Sequence, residues 1–147
     1  MNERIQELAC YAWRATSDEV AHLNRMHNRA ISHDEQMDVF EQKCLINGTI
    51  CASKEEEHVN NFIASKKYDI HIVIYGKNAY DEDKLLKKYY QLKQLGFKNL
   101  YIYIGGMFEW LLLQDIYGNE EFPTSCKEND IMKYKPSSNI NRNLLTY

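Results

Sequence analysis

Thiols are the first candidates for chemistry in this chain. The four cysteines are Cys10, Cys44, Cys51 and Cys126, and no two share C-x-x-C spacing. That spacing is what a compact zinc site or a dithiol redox motif requires, so neither is expected. His22 and His27 are five residues apart and share one helical face poorly, and the reading is no metal and no cofactor. Cys51 follows Gly48-Thr49-Ile50 and precedes Ala52-Ser53 at a helix start, the best setting here for a reactive thiol; a buried structural thiol is the plainer reading. Asp81, Glu82 and Asp83 form the densest acidic cluster, but they stand where a helix begins, which explains them without catalysis. Gly105-Gly106 alone is not a dinucleotide-binding fingerprint.

The bulk of the chain limits the remaining function classes. Its 147 residues suit one domain with a sizeable core, and 44% apolar with 27% charged residues fits a folded protein. A net charge of −3 gives no general attraction to nucleic acid, and Lys66-Lys67 and Lys87-Lys88 read as solvated surface. No window approaches the roughly 18 to 20 apolar residues of a membrane helix. The charged opening MNERIQELACYAWR lacks the apolar stretch of a secretory signal, so reduced thiols and a cytoplasmic location are expected.

Periodicity supplies the framework around these residues. Ile5, Leu8, Ala9, Ala12 and Trp13 predict a helix over residues 2–14. Thr16 with Glu19 makes a capping box before Val20, Leu23 and Met26. One short strand is expected near Ile31 and another after the Asn47-Gly48 turn. Ser53 with Glu56 then predicts the start of a helix facing inward through Val59, Phe62 and Ile63. The second half is sharper. Ile70-His71-Ile72-Val73-Ile74-Tyr75 reads as a strand buried on both faces, ended by Gly76. A helix from about Asp81 to Leu95 follows, stopped by Gly96 as a left-handed cap. Leu100-Tyr101-Ile102-Tyr103-Ile104 is the next strand, and Gly105-Gly106 turns into a helix carrying Trp110. Strand, helix, strand, helix means a right-handed crossover with parallel strands, and the class is α/β.

Residues 73–123 resemble the C-terminal half of the rhodanese family. The resemblance lies in Val73-Ile74-Tyr75 before a short loop, Leu95-Gly96-Phe97 closing the helix, Gly105-Gly106 after the next strand, and Trp110 four positions on. Gly118 and Pro123 stand where the family often has a glycine and a proline. Thr16-Ser17-Asp18-Glu19-Val20 is similar to its opening helix, and residues 45–50 to the turn before its third strand. Leu45 replaces the usual histidine there, and Asp34 is the nearest counterpart of an aspartate–arginine pair. Residues 108–124 also resemble rhodanese-like proteins of large DNA viruses. The resemblance implies a three-layer α/β/α domain with a central, mostly parallel sheet. The expected division is a helical extension at 1–15, the rhodanese-like domain at 16–123, and a polar tail at 124–147 onto which Ile131 and Tyr134 could still dock.

In a working rhodanese the loop after that strand holds a cysteine, and inward-pointing N–H groups stabilise its anionic persulfide. In this chain the corresponding position is Gly76, followed by Lys77, Asn78, Ala79, Tyr80 and Asp81, and no cysteine lies between Cys51 and Cys126. Glycine has no nucleophile, so the resemblance implies a degenerate loop without a catalytic residue. The acidic helix start would repel an anion, while Lys77 and a left-handed Asn78 could still attract one. The expectation is a non-catalytic, protein-binding or regulatory pseudoenzyme. The alternatives are sulfur transfer through Cys51 and small-anion binding at the loop. An unknown protein partner or a second copy is expected, with no nucleic acid and no membrane. Three consecutive leucines cannot all face one core, which makes Leu111, Leu112, Leu113 and the nearby Tyr117 the candidate interface. Of the tyrosines in the second half, Tyr89, Tyr101 and Tyr103 are expected against the sheet and the others at the surface.

Overall fold

The computed structural model describes residues 15–25, 29–33, 44–50 and 52–136. The expected N-terminal helix, its domain boundary, Cys10, Cys51 and Asp34 lie outside the described residues. The chain forms α1 (Ser17–Asn24), β1 (Arg29–His33), β2 (Thr49–Ile50), α2 (Ala52–Ala64) and β3 (His71–Tyr75). A 3-10 turn at Ala79–Asp81 leads into α3 (Glu82–Gln94), followed by β4 (Asn99–Tyr103), α4 (Gly106–Tyr117) and a 3-10 turn at Ile131–Tyr134.

The sheet runs β2-β1-β3-β4 with every strand parallel. Its central register places His33 beside Tyr75 and Tyr75 beside Tyr103, so the C-terminal ends of three strands finish level. The Ala15 N–H donates to the Ile102 carbonyl at 2.8 Å, so the chain entering α1 runs along the outer edge of β4. Alternation along β3 decides the layers. Ile72 and Ile74 face a cluster with Leu85, Leu86, Leu92 and Ile102, against which Val59, Phe62 and Ile63 of α2 also pack. Val73 and Tyr75 face the other cluster, with Val20, Leu23, Met107 and Trp110. Helices α2 and α3 therefore cover one face and α1 and α4 the other, the expected α/β/α arrangement. No helix among the described residues is long and apolar enough to cross a membrane.

Several local expectations change against the structure. Thr16 caps α1 by accepting the Glu19 N–H at 3.3 Å, but that helix ends at Asn24, before Met26. The strand near Ile31 is β1, held by hydrogen bonds on both sides that its mixed composition does not advertise. Helix α2 begins at Ala52, one residue before the expected cap Ser53. Lys88 is not free surface: its ammonium pairs with Glu55 at 2.7 Å, both largely buried between α2 and α3. Leaving either charge there alone would be costly, which makes the pair a specifier of how those helices meet. Tyr75 is fully buried, as the strand buried on both faces requires and contrary to its grouping with the surface tyrosines. Beyond Thr124 the composition turns polar, yet Tyr134 is 0% exposed and Ile131 packs on the α4-side core.

Tyr75 is also the hub of the polar contacts under β2. Its hydroxyl accepts the Ile46 N–H at 3.2 Å and shares a hydrogen bond of 2.8 Å with the Thr49 hydroxyl. Removing only that oxygen in Tyr75→Phe leaves the buried Ile46 N–H unpaired. The substitution is expected to cost about 1–3 kcal/mol. Urea unfolding should show a lower midpoint with an unchanged slope.

Candidate functional site

The loop that follows β3 is built by two backbones in contact. Gly76 is buried, and its carbonyl accepts the Met107 N–H at 3.0 Å; the Lys77 carbonyl accepts the Phe108 N–H at the same distance. These are N–H groups of the first turn of α4, which have no partner within their own helix. The loop therefore caps the neighbouring helix. Such an approach leaves no room for a side chain: a Cβ on Gly106 would lie 2.4 Å from the Gly76 oxygen, and Gly106 has φ +63°. Gly105 is constrained differently, because a Cβ there would run into the Glu109 side chain.

Asn78 fills the middle of the loop. It is only 7% exposed, its Oδ1 accepts the Tyr80 N–H at 3.0 Å, and its Nδ2 donates to the Tyr134 carbonyl at 3.0 Å. Its backbone is extended, with φ −159°, so the left-handed anion nest considered for it does not form. The Asn78 amide oxygen occupies the role an anion would have toward the Tyr80 N–H, and both ends of the amide are satisfied internally. Ala79 and Tyr80 are exposed, Lys77 is half-buried, and the Asp81 backbone closes the 3-10 turn. Glu82 and Asp83 then stand in the first turn of α3, where negative charge favours the helix.

Beside the loop, Tyr103 is buried with no hydrogen-bond partner of good geometry for its hydroxyl among the described residues. Burial first, and the nearby Glu109 carboxylate second, hold that phenol protonated far above its ordinary range, so it is no base near neutral pH. Trp110 meets Tyr103 and Phe122 edge-on and donates its indole N–H to the Pro123 carbonyl at 3.2 Å. Gly96 has φ +106° and ends the turn after α3, while Phe97 is buried against Tyr68. Gly106 abuts the loop and Trp110 packs at the same end of the sheet, whereas Gly96 and Phe97 precede β4 at the opposite end, against Tyr68.

The candidate interface divides by helical angle. Leu111 is buried and Leu113 half-buried, whereas Leu112 is 39% and Tyr117 64% exposed. Ile116, 70% exposed, completes that outer face. Sequence reasoning passed over Ile116, although its position four residues after Leu112 is the signal that would have found it. The described thiols are elsewhere: Cys44 donates to the Cys126 carbonyl at 3.1 Å, across a short antiparallel bridge.

A family model described as the rhodanese-like domain matches residues 25–113. No curated protein matches the chain. Among solved structures, the Alr3790 protein from Anabaena sp. is similar at 19% identity with a TM-score of 0.54, covering 81% of this chain and 97% of that one. The solution structure of the rhodanese-like domain of Anabaena sp. Alr3790 gives 18% identity and a TM-score of 0.52, covering 87% of each. At these identities the likeness is one of fold.

Two substitutions test the loop's construction. Gly106→Ala adds a clash with the Gly76 carbonyl to an unfavourable backbone conformation, and should destabilise by about 2–4 kcal/mol. Asn78→Ala leaves the Tyr80 N–H and the Tyr134 carbonyl without their amide, and should cost about 1–3 kcal/mol. Chemical denaturation of both variants beside wild type measures the losses.

Proposed function

Because the chain belongs to the rhodanese-like domain family, we propose that it is a non-catalytic member, a pseudoenzyme that binds a protein partner instead of transferring sulfur. One observation carries this reading: the buried Asn78 amide takes up a loop N–H, at the place where the family resemblance calls for donors free to hold an anion. Gly76 supports it, since sulfur transfer through a persulfide needs a thiolate at the strand end and glycine has none. The Glu82 and Asp83 charges support it further by opposing anion entry at the same helix end. A role in binding is consistent with the outer face of α4, where Leu112, Ile116 and Tyr117 put two aliphatic side chains and a tyrosine into solvent. The proposed setting is the cytoplasm, where thiols such as Cys44 and Cys126 stay reduced. A kinship with the proteins of large DNA viruses rests on the resemblance over residues 108–124.

Turnover with thiosulfate as donor and cyanide as acceptor tests the reading. Wild type should give no thiocyanate above background. Activity abolished by Cys51→Ser would replace the binding hypothesis with catalysis through that thiol. Gly76→Cys should also yield little or no product, because Asn78 and the acidic helix start disfavour a thiolate there; robust turnover from that single change would mean that the loop is still organised for anions. For binding, a partner retained by wild type should be lost by Leu112→Asp at unchanged thermal stability.

A further inference from the structure

Cys44 and Cys126 are far apart in sequence but directly opposed in space. The bridge between Ile46 and Thr124 is antiparallel, the Ser125 N–H donates to the Leu45 carbonyl at 2.8 Å, and the Asn47 N–H donates to the Pro123 carbonyl at 3.0 Å. This register pairs residue 45 with 125 and 47 with 123 through hydrogen bonds. Residues 46 and 124, and one step further 44 and 126, are then the non-hydrogen-bonded pairs. At such pairs opposed Cα atoms stand about 4.5 Å apart and side chains approach most closely. That spacing lies within the range of about 4.4–6.8 Å that a disulfide accepts. The side chains agree with the backbone: the Cys44 thiol donates to the Cys126 carbonyl at 3.1 Å.

We propose that Cys44 and Cys126 are a dithiol pair that closes reversibly to a disulfide, clamping the segment that carries Tyr134 onto the sheet. The two thiols differ in the way stepwise exchange uses. Cys126 is exposed at the edge of an open depression of ≈ 520 Å³ lined by Gln114, Thr124 and Glu128, where a small-molecule disulfide can enter. Cys44 is buried, and that burial, followed by the hydrogen bond with Cys126, pushes its thiol up to about 11. The Cys126 thiolate attacks one sulfur of the small disulfide, forming a mixed disulfide and expelling one small thiolate. Cys44, after losing its proton, attacks the Cys126 sulfur and expels the second. Two protein thiols are thereby oxidised by two electrons, one small disulfide is reduced to two thiols, and atoms balance. Because the Cys44 thiolate is scarce at neutral pH, the second step is the slow one. The inference is independent of the binding reading above, since it concerns neither the loop's chemistry nor the α4 face.

The full chain, equilibrated in mixtures of reduced and oxidised glutathione, acid-quenched, alkylated and digested, tests this by peptide mass spectrometry. The expected product is one cross-linked pair joining the Cys44 and Cys126 peptides, lost again on reduction and outnumbering all links to Cys10 or Cys51. The oxidised chain should melt on the order of 10 °C above the reduced one, because the link closes a long loop. Cys126→Ser, a substitution at an exposed position, should fold and melt at a temperature independent of the glutathione ratio. Glutathione held on Cys126 without a Cys44 link, links scattered among the four cysteines, or an unchanged melt on oxidation would each overturn the proposal.

Discussion

The hydrogen bond from the Met107 amide to the Gly76 carbonyl is the constraint around which this domain is arranged. Parallel strands deliver their connections to the same end of the sheet, and β3 and β4 lie side by side with Tyr75 level with Tyr103. The loop leaving β3 and the helix following β4 must therefore share one small volume. They do so by letting loop carbonyls satisfy the amides that begin α4, which removes the usual cost of a buried helix start. The arrangement requires a position without a side chain, and Gly106 supplies it. A signature that reads in sequence as a flexible turn is thus a contact of two backbones, intolerant of even a methyl group.

With the loop carbonyls committed to α4, what remains is the choice of partner for its amides. Water or an anion would serve an open loop. In this chain Asn78 provides a neutral acceptor from within, and the Tyr134 carbonyl holds the amide nitrogen from the opposite side. A neutral acceptor in a buried place is less costly to desolvate than a charged one, and it leaves no net charge for the acidic start of α3 to repel. The Tyr80 amide of the loop is consequently satisfied from within the chain. The loop's chemistry and its rigidity have the same origin, since the group that satisfies the amide also ties the loop to the C-terminal segment.

How much of this was legible in the sequence depended on which force wrote each feature. Strands β3 and β4 and helices α3 and α4 were readable because burial on two faces, or on one helical stripe, imposes a period that survives in composition. Gly96 was readable as the left-handed cap that ends a helix, whereas Gly106 was legible only as part of a turn. The loop after β3 was located by the strand before it and the helix after it. Its interior was not legible, because Asn78 is a residue common in turns and nothing local says that Tyr134, fifty-six positions away, will accept its amide hydrogen. The partners of the Tyr75 hydroxyl were hidden in the same way, because Ile46 and Thr49 come from a distant part of the chain to bind it. Lys88 and Glu55 likewise look solvated until α2 and α3 meet.

These distant partners converge on one segment. Residues 44–46 pair with 124–126, Ile46 also donates to Tyr75 at the end of β3, and the chain beyond 126 returns to the loop through Tyr134. The polar stretch after Thr124 is thus joined to the sheet at both of its ends, although it contributes few apolar residues of its own. Its hold depends on Tyr134, Ile131 and a handful of hydrogen bonds, whereas β3 is gripped by two clusters at once. Stability within one domain is unequal where apolar burial is unequal, and a segment fixed mainly by polar contacts opens at lower cost than the strands beneath it. The Asn78 amide draws half of its hydrogen bonding from that segment. Any event that loosens residues 124–134 must therefore also unseat the group that closes the loop.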